Sequence, residues 1–184
     1  IGKNEWLEDI RSEGERMGLL INKMVELSRM DEGDAPPAPA DFDISGAVSD
    51  TVSEFQPLAA ERGKTLLSEI EPGLSYHGDE ALLRRLAAIL LDNAVKYCDP
   101  GGSIRLRFYR KHHPVLIVEN TYADVDALEL DKLFDRFYRA DKARTFSGSF
   151  GVGLSIAQSI VAKYHRSIHA YKKEQTIGFR VELK

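Results

Sequence analysis

Apolar residues recur every three to four positions over residues 5–31, with Glu, Arg and Lys between them, and this spacing predicts one long amphipathic helix. Gly14 and Ser28 interrupt the seven-residue track of the apolar stripe. The pattern therefore favours a helix that packs in a bundle over a strict zipper. The stripe consists of Ile10, Met17, Leu20, Ile21, Met24 and Leu27.

A proline- and alanine-rich segment, "DAPPAPA" at residues 34–40, follows this helix. Proline removes backbone donors and favours extended conformations, so the segment is typical of a short, semi-rigid linker. We expect a domain boundary here, with an incomplete helical domain at residues 1–33 and a second domain at residues 41–184.

Helical and strand patterns alternate after the linker. Apolar residues at helical spacing predict helices at 45–62, 78–98 and 154–164, the second opened by Asp79 as N-cap. Alternating residues and turn signals predict strands at 41–44, 64–70, 103–110, 115–120, 167–173 and 178–184. The last four strands form two hairpins. We therefore expect an α+β fold, with helices layered on one face of a mixed, mostly antiparallel sheet.

Composition excludes several classes of protein. The 184 residues carry a net charge of −4 without a massed basic segment, so nucleic acid is not an expected partner. Cys98 is the only cysteine, which excludes an intrachain disulfide and a zinc site built from spaced cysteines. No apolar run approaches the ~18 residues of a membrane span, and the first residues given lack the charged-then-apolar pattern of a signal peptide. Any membrane contact is expected through parts of a longer parent chain.

The stretch "TFSGSFGVGLSIAQSI", residues 145–160, runs from a glycine- and serine-rich loop into a helical pattern. Gly151 and Gly153 lie at the start of this helix, where backbone amides and the helix dipole can receive an anion. The spacing matches neither the Walker loop nor the dinucleotide fingerprint. By itself, the stretch is equally compatible with a flexible hinge.

The stretch "LLDNAVKYC" carries Asn93, Lys96 and Tyr97 at positions i, i+3 and i+4 of the predicted helix, so the three share one face. An amide oxygen, a cation and an aromatic ring are the groups that a magnesium nucleotide needs. An ordinary solvent-facing polar strip is the alternative. A third stretch, "LFDRFYRADKAR", combines Phe134, Phe137 and Tyr138 with cationic residues, and it predicts either an anchored cationic arm or a helix end with solvated charges.

In combination and in this order, these stretches resemble the ATP-binding catalytic domain of sensor histidine kinases. "LLDNAVKY", "EN" after a strand, "FDRFYR" and "GSFGVGLSIA" are similar to that family's N, G1, F and G2 boxes, and the likeness covers residues 41–184. Residues 1–33 resemble the second helix of the family's dimerisation and phosphotransfer domain. The resemblance implies a two-layer α/β sandwich of the GHKL type that holds ATP and Mg²⁺ under a lid at about residues 139–150.

The resemblance also implies roles for individual residues. Asn93 would hold Mg²⁺, Lys96 and Tyr97 would contact the phosphates and the base side of the nucleotide, and Arg139 would approach the γ-phosphate. Phe134 and Phe137 would pack at the base of the lid. The residues expected to line the rest of the nucleotide site are Asn120, Tyr122, Gly151, Gly153 and Leu154.

The sequence departs from the family pattern in three places. The G1 stretch reads "NTYAD", so Asn120 replaces an aspartate, and Tyr122 and Asp124 replace glycines. Ile89 stands four residues before Asn93, where kinases carry a second Asn and hydrolysing relatives a Glu base, which argues against a water-activating ATPase. No histidine stands in a phospho-acceptor context: we assign His77, His112, His113, His165 and His169 to structure or solvent.

The resulting hypothesis is a kinase catalytic domain that passes the γ-phosphate of ATP to a histidine outside this sequence and then to a response-regulator aspartate. The alternative is a scaffold module that has lost nucleotide binding and acts through dimerisation and regulator docking. A third class, the anti-sigma-type serine kinases, is disfavoured by the long first helix and the proline- and alanine-rich linker. The parent protein is expected to be a homodimeric, membrane-bound sensor with this portion in the cytoplasm. The chain alone is expected to be a monomer or a weak dimer.

Overall fold

The computed structural model describes residues 2–32, 39–139, 150–164 and 166–183. Helix α1, Gly2–Glu32, spans 31 residues and confirms the first predicted helix. Ile10, Met17 and Ile21 on its apolar stripe remain 63%, 61% and 56% exposed, whereas Leu20 packs against the core. Most of the predicted linker and the domain boundary within it lie outside the described residues, so that boundary stays a prediction.

A five-stranded sheet forms the base of the fold. Its members are β2 (Thr65–Ile70), β4 (Ser103–Arg110), β5 (Pro114–Thr121), β6 (Ile168–Lys173) and β7 (Thr176–Glu182), in the spatial order β2-β4-β5-β7-β6. Strands β2 and β4 run parallel and the other neighbours run antiparallel, so the mixed, mostly antiparallel sheet is confirmed. Thr176 and Ile177 pair with β5 and β6 and belong to β7, whereas the sequence analysis placed them in a turn.

The fold also contains a two-stranded sheet, of which the sequence analysis predicted only the first strand. Strand β1, Ala40–Asp43, pairs antiparallel with β3, Ser75–Gly78, which the sequence analysis did not predict. Its four residues alternate exposed and buried, a pattern too short to stand out beside the turn residues before it. The predicted first strand also ran one residue too far. Ile44 begins the next helix instead, because Asp43 accepts a hydrogen bond from the Gly46 amide at 3.0 Å and caps that helix. The Ile44 side chain is fully buried.

Three helices cover one face of the sheet: α2 (Ile44–Glu61), α3 (Glu80–Tyr97) and α4 (Gly153–Lys163). Asp79 caps α3 as predicted, with its carboxylate accepting from the Leu82 amide at 3.0 Å. The apolar faces of these helices meet the inward side chains of β4, β5 and β7 in one core. The fully buried members with the largest side chains are Phe108, Phe179, Ile44, Leu86, Leu90, Leu91, Ile104, Leu106, Ile160 and Leu183.

The opposite face of the sheet carries polar residues. Tyr171 donates to Glu119 Oε1 at 2.7 Å, and Arg107 Nη2 donates to Glu119 Oε2 at 3.1 Å. The Tyr171 ring lies over Gly178, where an added Cβ would stand 2.3 Å from Tyr171 Cζ. Burial raises the pKa of Tyr171 well above its ordinary value, and the hydrogen bond to Glu119 adds to the shift. Among the described residues, no helix has the length and apolar character that a membrane crossing requires.

Candidate functional site

A cleft opens between α3, the start of α4 and the segment after β5. Its volume, including the part open to solvent, is about 850 Å³. Its apolar wall comes from several elements far apart in sequence. The residues that line the cleft are Ile89, Asp92, Asn93, Lys96, Tyr97, Tyr122, Leu128, Leu133, Tyr138, Phe150, Gly151, Gly153, Leu154, Ile177 and Phe179.

Helix α3 supplies the polar wall. Its lining positions, Ile89, Asp92, Asn93, Lys96 and Tyr97, follow the spacing i, i+3, i+4, i+7 and i+8, which places them on one helix face. The face tilts away from the buried stripe of α3, so these side chains are only half-buried. Lys96 Nζ donates to Asp92 Oδ2 at 2.6 Å, with the Lys96 side chain 18% exposed and the Asp92 side chain 47% exposed. The Lys96 ammonium, which the sequence analysis expected to contact the nucleotide, is therefore already paired with the Asp92 carboxylate within α3.

The start of α4 forms the opposite wall. Gly153 is the first residue of α4, and Val152 before it offers no side-chain cap to the amides of the first turn. Within the described residues those amides face a cleft with no capping side chain, which is an arrangement suited to an anion. A Cβ added at Gly153 would meet only Ile89 Cγ2, at 3.7 Å, so the space beside this glycine is open to the cleft.

Gly151 holds two distant segments together. Its φ is +68°, and its carbonyl accepts a hydrogen bond from the Phe137 amide at 2.9 Å. An added Cβ would stand 2.6 Å from the Tyr138 carbonyl oxygen and 2.9 Å from the Phe137 carbonyl carbon. The two ends of the segment 138–150 therefore touch, and only glycine fits at this contact.

The aromatic residues before this segment behave differently from one another. Phe134 is half-buried and its ring meets Phe179 edge to face, with centroids 6.2 Å apart. Phe137 is 52% exposed with a φ of +66°, so the expectation that it packs at the base of the lid is wrong. Arg139 is half-buried and is not among the residues lining the cleft, and most of the predicted lid lies outside the described residues.

The two G1 residues take different positions. Tyr122 lines the cleft, and its amide donates to the Gln175 carbonyl at 2.8 Å. Asn120 is 1% exposed, and its Nδ2 donates to the Thr121 carbonyl at 3.0 Å, which leaves Oδ1 buried without a partner among the described residues. Asn120 pairs across the sheet with Ile177, a lining residue, so it points to the cleft side of the sheet although it does not itself line the cleft. It borders a second, more polar pocket beside Arg105.

The described histidines lie outside the cleft lining. His77 Nδ1 and Asp41 Oδ1 are 2.8 Å apart in the two-stranded sheet, and His169 Nε2 and Ser167 Oγ are 2.7 Å apart at the edge of the large sheet. His112 and His113 follow β4 in a bend, and His165 lies outside the described residues. These positions agree with the expected structural or solvent-facing roles.

Sequence reasoning missed several lining residues. Asp92 was detectable, because it stands one position before Asn93 and four before Lys96 on the same helix face. Leu128, Leu133, Ile177 and Phe179 come from a loop and the last strand, and only the folded chain brings them to α3.

The chain is similar to known proteins over most of its length. A family model described as histidine kinase-, DNA gyrase B- and HSP90-like ATPase matches residues 78–184, more than half of the chain. The chain is 31% identical over 181 residues to the sensor protein DltS of Streptococcus agalactiae serotype V, covering 98% of this chain and 46% of that protein. It is 33% identical over 170 residues to the sensor histidine kinase CusS of Escherichia coli O157:H7, covering 91% of this chain and 35% of CusS.

The fold has close structural counterparts. The crystal structure of full-length ShkA in complex with AMPPNP matches all of this chain with a TM-score of 0.79 at 21% identity, and the match covers 39% of ShkA. The chain thus spans less than half the length of DltS, CusS and ShkA. These relatives are sensor proteins and kinases by name, so the comparisons give no support to the scaffold alternative. With the α/β sandwich, the cleft and the family match together, the chain belongs to the histidine kinase-, DNA gyrase B- and HSP90-like ATPase family.

Proposed function

We propose that this chain is the catalytic portion of a sensor histidine kinase and that it binds ATP with Mg²⁺ in the cleft between α3 and α4. The observation that carries the proposal is the convergence of Asn93 and Lys96 on one wall with Gly151 and Gly153 on the other. These residues are about 60 positions apart in sequence, and they unite the groups that a magnesium nucleotide requires.

The phosphate end of the site lies between the two helices. The amides at the start of α4 donate to phosphate oxygens, with Gly151, Gly153 and Leu154 giving close backbone access. Asn93 offers its amide oxygen to Mg²⁺, which keeps much of its water shell and takes few protein ligands. When bound, the metal ion neutralises charge on the phosphates that shift during transfer. Lys96 and Tyr97 contact the nucleotide from α3, and Arg139 approaches the γ-phosphate.

The base end of the site lies toward β5 and β7. The buried Oδ1 of Asn120 has no partner among the described residues, and an unpaired buried acceptor suits a donor such as the adenine amino group. Because Asn120 Nδ2 donates to the Thr121 carbonyl, Oδ1 is the atom of this side-chain amide that can accept a hydrogen bond from the base. Tyr122 replaces a glycine of the family and contacts the base from the cleft wall. The ShkA structure, which shares this fold, was solved in complex with AMPPNP, and this supports an adenine nucleotide as the ligand.

The reaction is phosphoryl transfer to a protein histidine. Ile89 cannot accept a proton from water, so the α3 wall offers no general base where hydrolysing relatives carry Glu. Transfer to a histidine needs positioning and charge stabilisation more than a base. We place the acceptor histidine outside this sequence; the described histidines are not among the residues that line the cleft.

The partners are a second copy of the parent protein and a response regulator. The exposed apolar stripe of α1, at Ile10, Met17 and Ile21, supports packing of this helix in a bundle. The similarity to sensor kinases supports a response regulator as the protein that receives the phosphoryl group.

Calorimetric titration with AMPPNP in the presence of Mg²⁺ tests the proposal. We expect saturable binding in the unmodified chain and at least about tenfold weaker binding in Asn93→Ala, because the Mg²⁺ ligand is lost. Asn22→Ala, which removes an exposed amide from α1, is the matched control and should bind as the unmodified chain does. Absence of binding at millimolar AMPPNP in the unmodified chain would contradict the proposal.

A further inference from the structure

The charged groups on the cleft wall cancel one another. Among the lining residues that the structure describes, Asp92 and Lys96 are the charged members, one of each sign. Their side chains form an ion pair with Nζ and Oδ2 2.6 Å apart. The described part of the wall that faces the incoming nucleotide therefore has no net formal charge, although a nucleotide triphosphate carries about four negative charges.

The ion pair lies partly within the protein, which strengthens its effect on the cleft. Lys96 is 18% exposed, so water screens its ammonium only in part, and the Asp92 carboxylate is its direct partner. Any phosphate that approaches Lys96 also approaches the carboxylate one helical turn away. The attraction of the ammonium for a bare polyphosphate is thus offset by repulsion from Asp92.

From this geometry we infer that Asp92 is a specificity-determining residue that makes the cleft select the Mg²⁺-bound form of the nucleotide over the metal-free form. The inference rests on the proposed function and adds a residue to which that proposal gives no role. Mg²⁺ neutralises two of the nucleotide's roughly four negative charges and so removes about half of the repulsion from Asp92. The same carboxylate accepts a hydrogen bond from Lys96 Nζ and so holds the ammonium against α3.

Position and partner distinguish Asp92 from a surface acid. It stands next to Asn93, the proposed Mg²⁺ ligand, on the face of α3 that lines the cleft. Ile89, one turn before, supplies no charge or oxygen to this face. Among the described residues of α3 that line the cleft, Asp92 is therefore the acidic one. Its carboxylate repels a metal-free nucleotide more strongly than a nucleotide that carries Mg²⁺.

The test compares AMPPNP binding in Mg²⁺ and in EDTA for the unmodified chain and for Asp92→Asn. We expect the unmodified chain to bind about tenfold or more weakly in EDTA. Asp92→Asn should bind metal-free AMPPNP about three- to tenfold more tightly than the unmodified chain, because the Lys96 ammonium loses its carboxylate partner. The ratio of the dissociation constants in EDTA and in Mg²⁺ should therefore be smaller for Asp92→Asn than for the unmodified chain. Loss of an ion pair that only supports the helix would not change this ratio.

Glu80→Gln is the matched control. Glu80 and Arg84 form an ion pair with the same i,i+4 spacing on the same helix, at 2.7 Å, and Glu80 precedes Asp92 by twelve residues, about 18 Å along the helix axis. This variant should keep the Mg²⁺ dependence of the unmodified chain. Unchanged circular dichroism in both variants verifies that α3 remains folded.

A second variant separates charge balance from helix support. Lys96→Met should weaken metal-free binding, opposite in sign to Asp92→Asn, because it leaves the carboxylate uncompensated. Weakened binding of the same size in both variants would mean that the pair only supports the helix, and it would overturn the inference. Equal affinity of the unmodified chain in Mg²⁺ and EDTA would also overturn it. If the unmodified chain does not bind AMPPNP at all, that result would instead contradict the proposed function.

Discussion

The Phe137 amide donates to the Gly151 carbonyl at 2.9 Å, and both residues have a positive φ, +66° and +68°. This contact joins the two ends of the segment that the family resemblance identifies as the nucleotide lid. A non-glycine residue in the left-handed region costs free energy, so the surrounding contacts must hold Phe137 there. The contact therefore sets where the segment leaves the domain and where it returns to α4.

Gly151→Ala is expected to destabilise the protein through this contact. The new Cβ would stand 2.6 Å from the Tyr138 carbonyl oxygen, a backbone atom that cannot rotate away, and alanine is disfavoured at a φ of +68°. We expect a loss of about 2 to 4 kcal/mol in the free energy of unfolding, measured by urea denaturation.

Gly63→Ala is the matched control for this variant. Gly63 has a φ of +65° but no heavy atom within 4 Å of an added Cβ, so it carries the backbone penalty without the collision. Its expected cost is about 1 to 2 kcal/mol. Equal destabilisation by the two substitutions would show that the close contact of Gly151 with residues 137 and 138 does not contribute to the free energy of unfolding.

Gly153→Ala should separate nucleotide binding from folding. Gly153 is the first residue of α4, and its added Cβ would meet only Ile89 Cγ2, at an ordinary 3.7 Å. Alanine is a better helix former than glycine, so stability should stay within about 1 kcal/mol of the unmodified chain. The methyl group would occupy the space through which phosphates reach the α4 amides, and AMPPNP binding by calorimetry should weaken at least about tenfold. Unchanged affinity would place the phosphates elsewhere.

Tyr171 should make stability fall at alkaline pH. Burial, aided by the hydrogen bond to Glu119, raises the pKa of Tyr171 in the folded state above the unfolded value of about 10. The folded protein then holds a proton that the unfolded chain releases, so this contribution is complete below pH ~10 and is lost as the pH rises toward the folded pKa. Urea denaturation across this range measures the loss.

Tyr171→Phe isolates the contribution of the hydroxyl. The variant loses the hydrogen bond to the Glu119 carboxylate, and we expect it to be about 1 to 2 kcal/mol less stable at pH 7. The difference between the two proteins should shrink above pH ~10. Comparison of the two removes the contributions of Tyr76 and Tyr164, whose pKa values burial also raises. A difference that is constant from pH 7 to 11 would contradict this account.

The exposed stripe of α1 predicts the oligomeric state of the chain alone. Ile10, Met17 and Ile21 stay more than half exposed, and the described part of α1 meets the core through Leu20 near α4. One helix offers too little apolar surface for a stable bundle, so sedimentation should show a monomer or a weak dimer at micromolar concentration. Met17→Glu should abolish any self-association. A tight two-fold dimer in the unmodified chain would refute this prediction.

Local sequence determined the elements and the α3 half of the site. The 3.6-residue period over 78–98 and the capping Asp79 predict α3, and that period alone places Asn93, Lys96 and Tyr97 on one face. Likewise, alternating residues in two hairpins predict four strands of the sheet. These features depend on neighbours within a few positions of the chain, so they can be derived without the fold. The family resemblance added the expected nucleotide, which the local patterns do not contain.

Tertiary structure decided what depends on distant segments meeting. Strand β3 exists because its four residues pair with β1, about 35 positions earlier, and no local period marks so short a strand. Phe134 and Phe137 look alike in sequence, yet the ring of Phe134 packs on Phe179, whereas Phe137 is 52% exposed and has a left-handed backbone. The contact of Gly151 with residues 137 and 138 and the position of Asn120 beside Ile177 arise in the same way. Steric fit between such segments is a property of the assembled core, which the order of residues alone does not reveal.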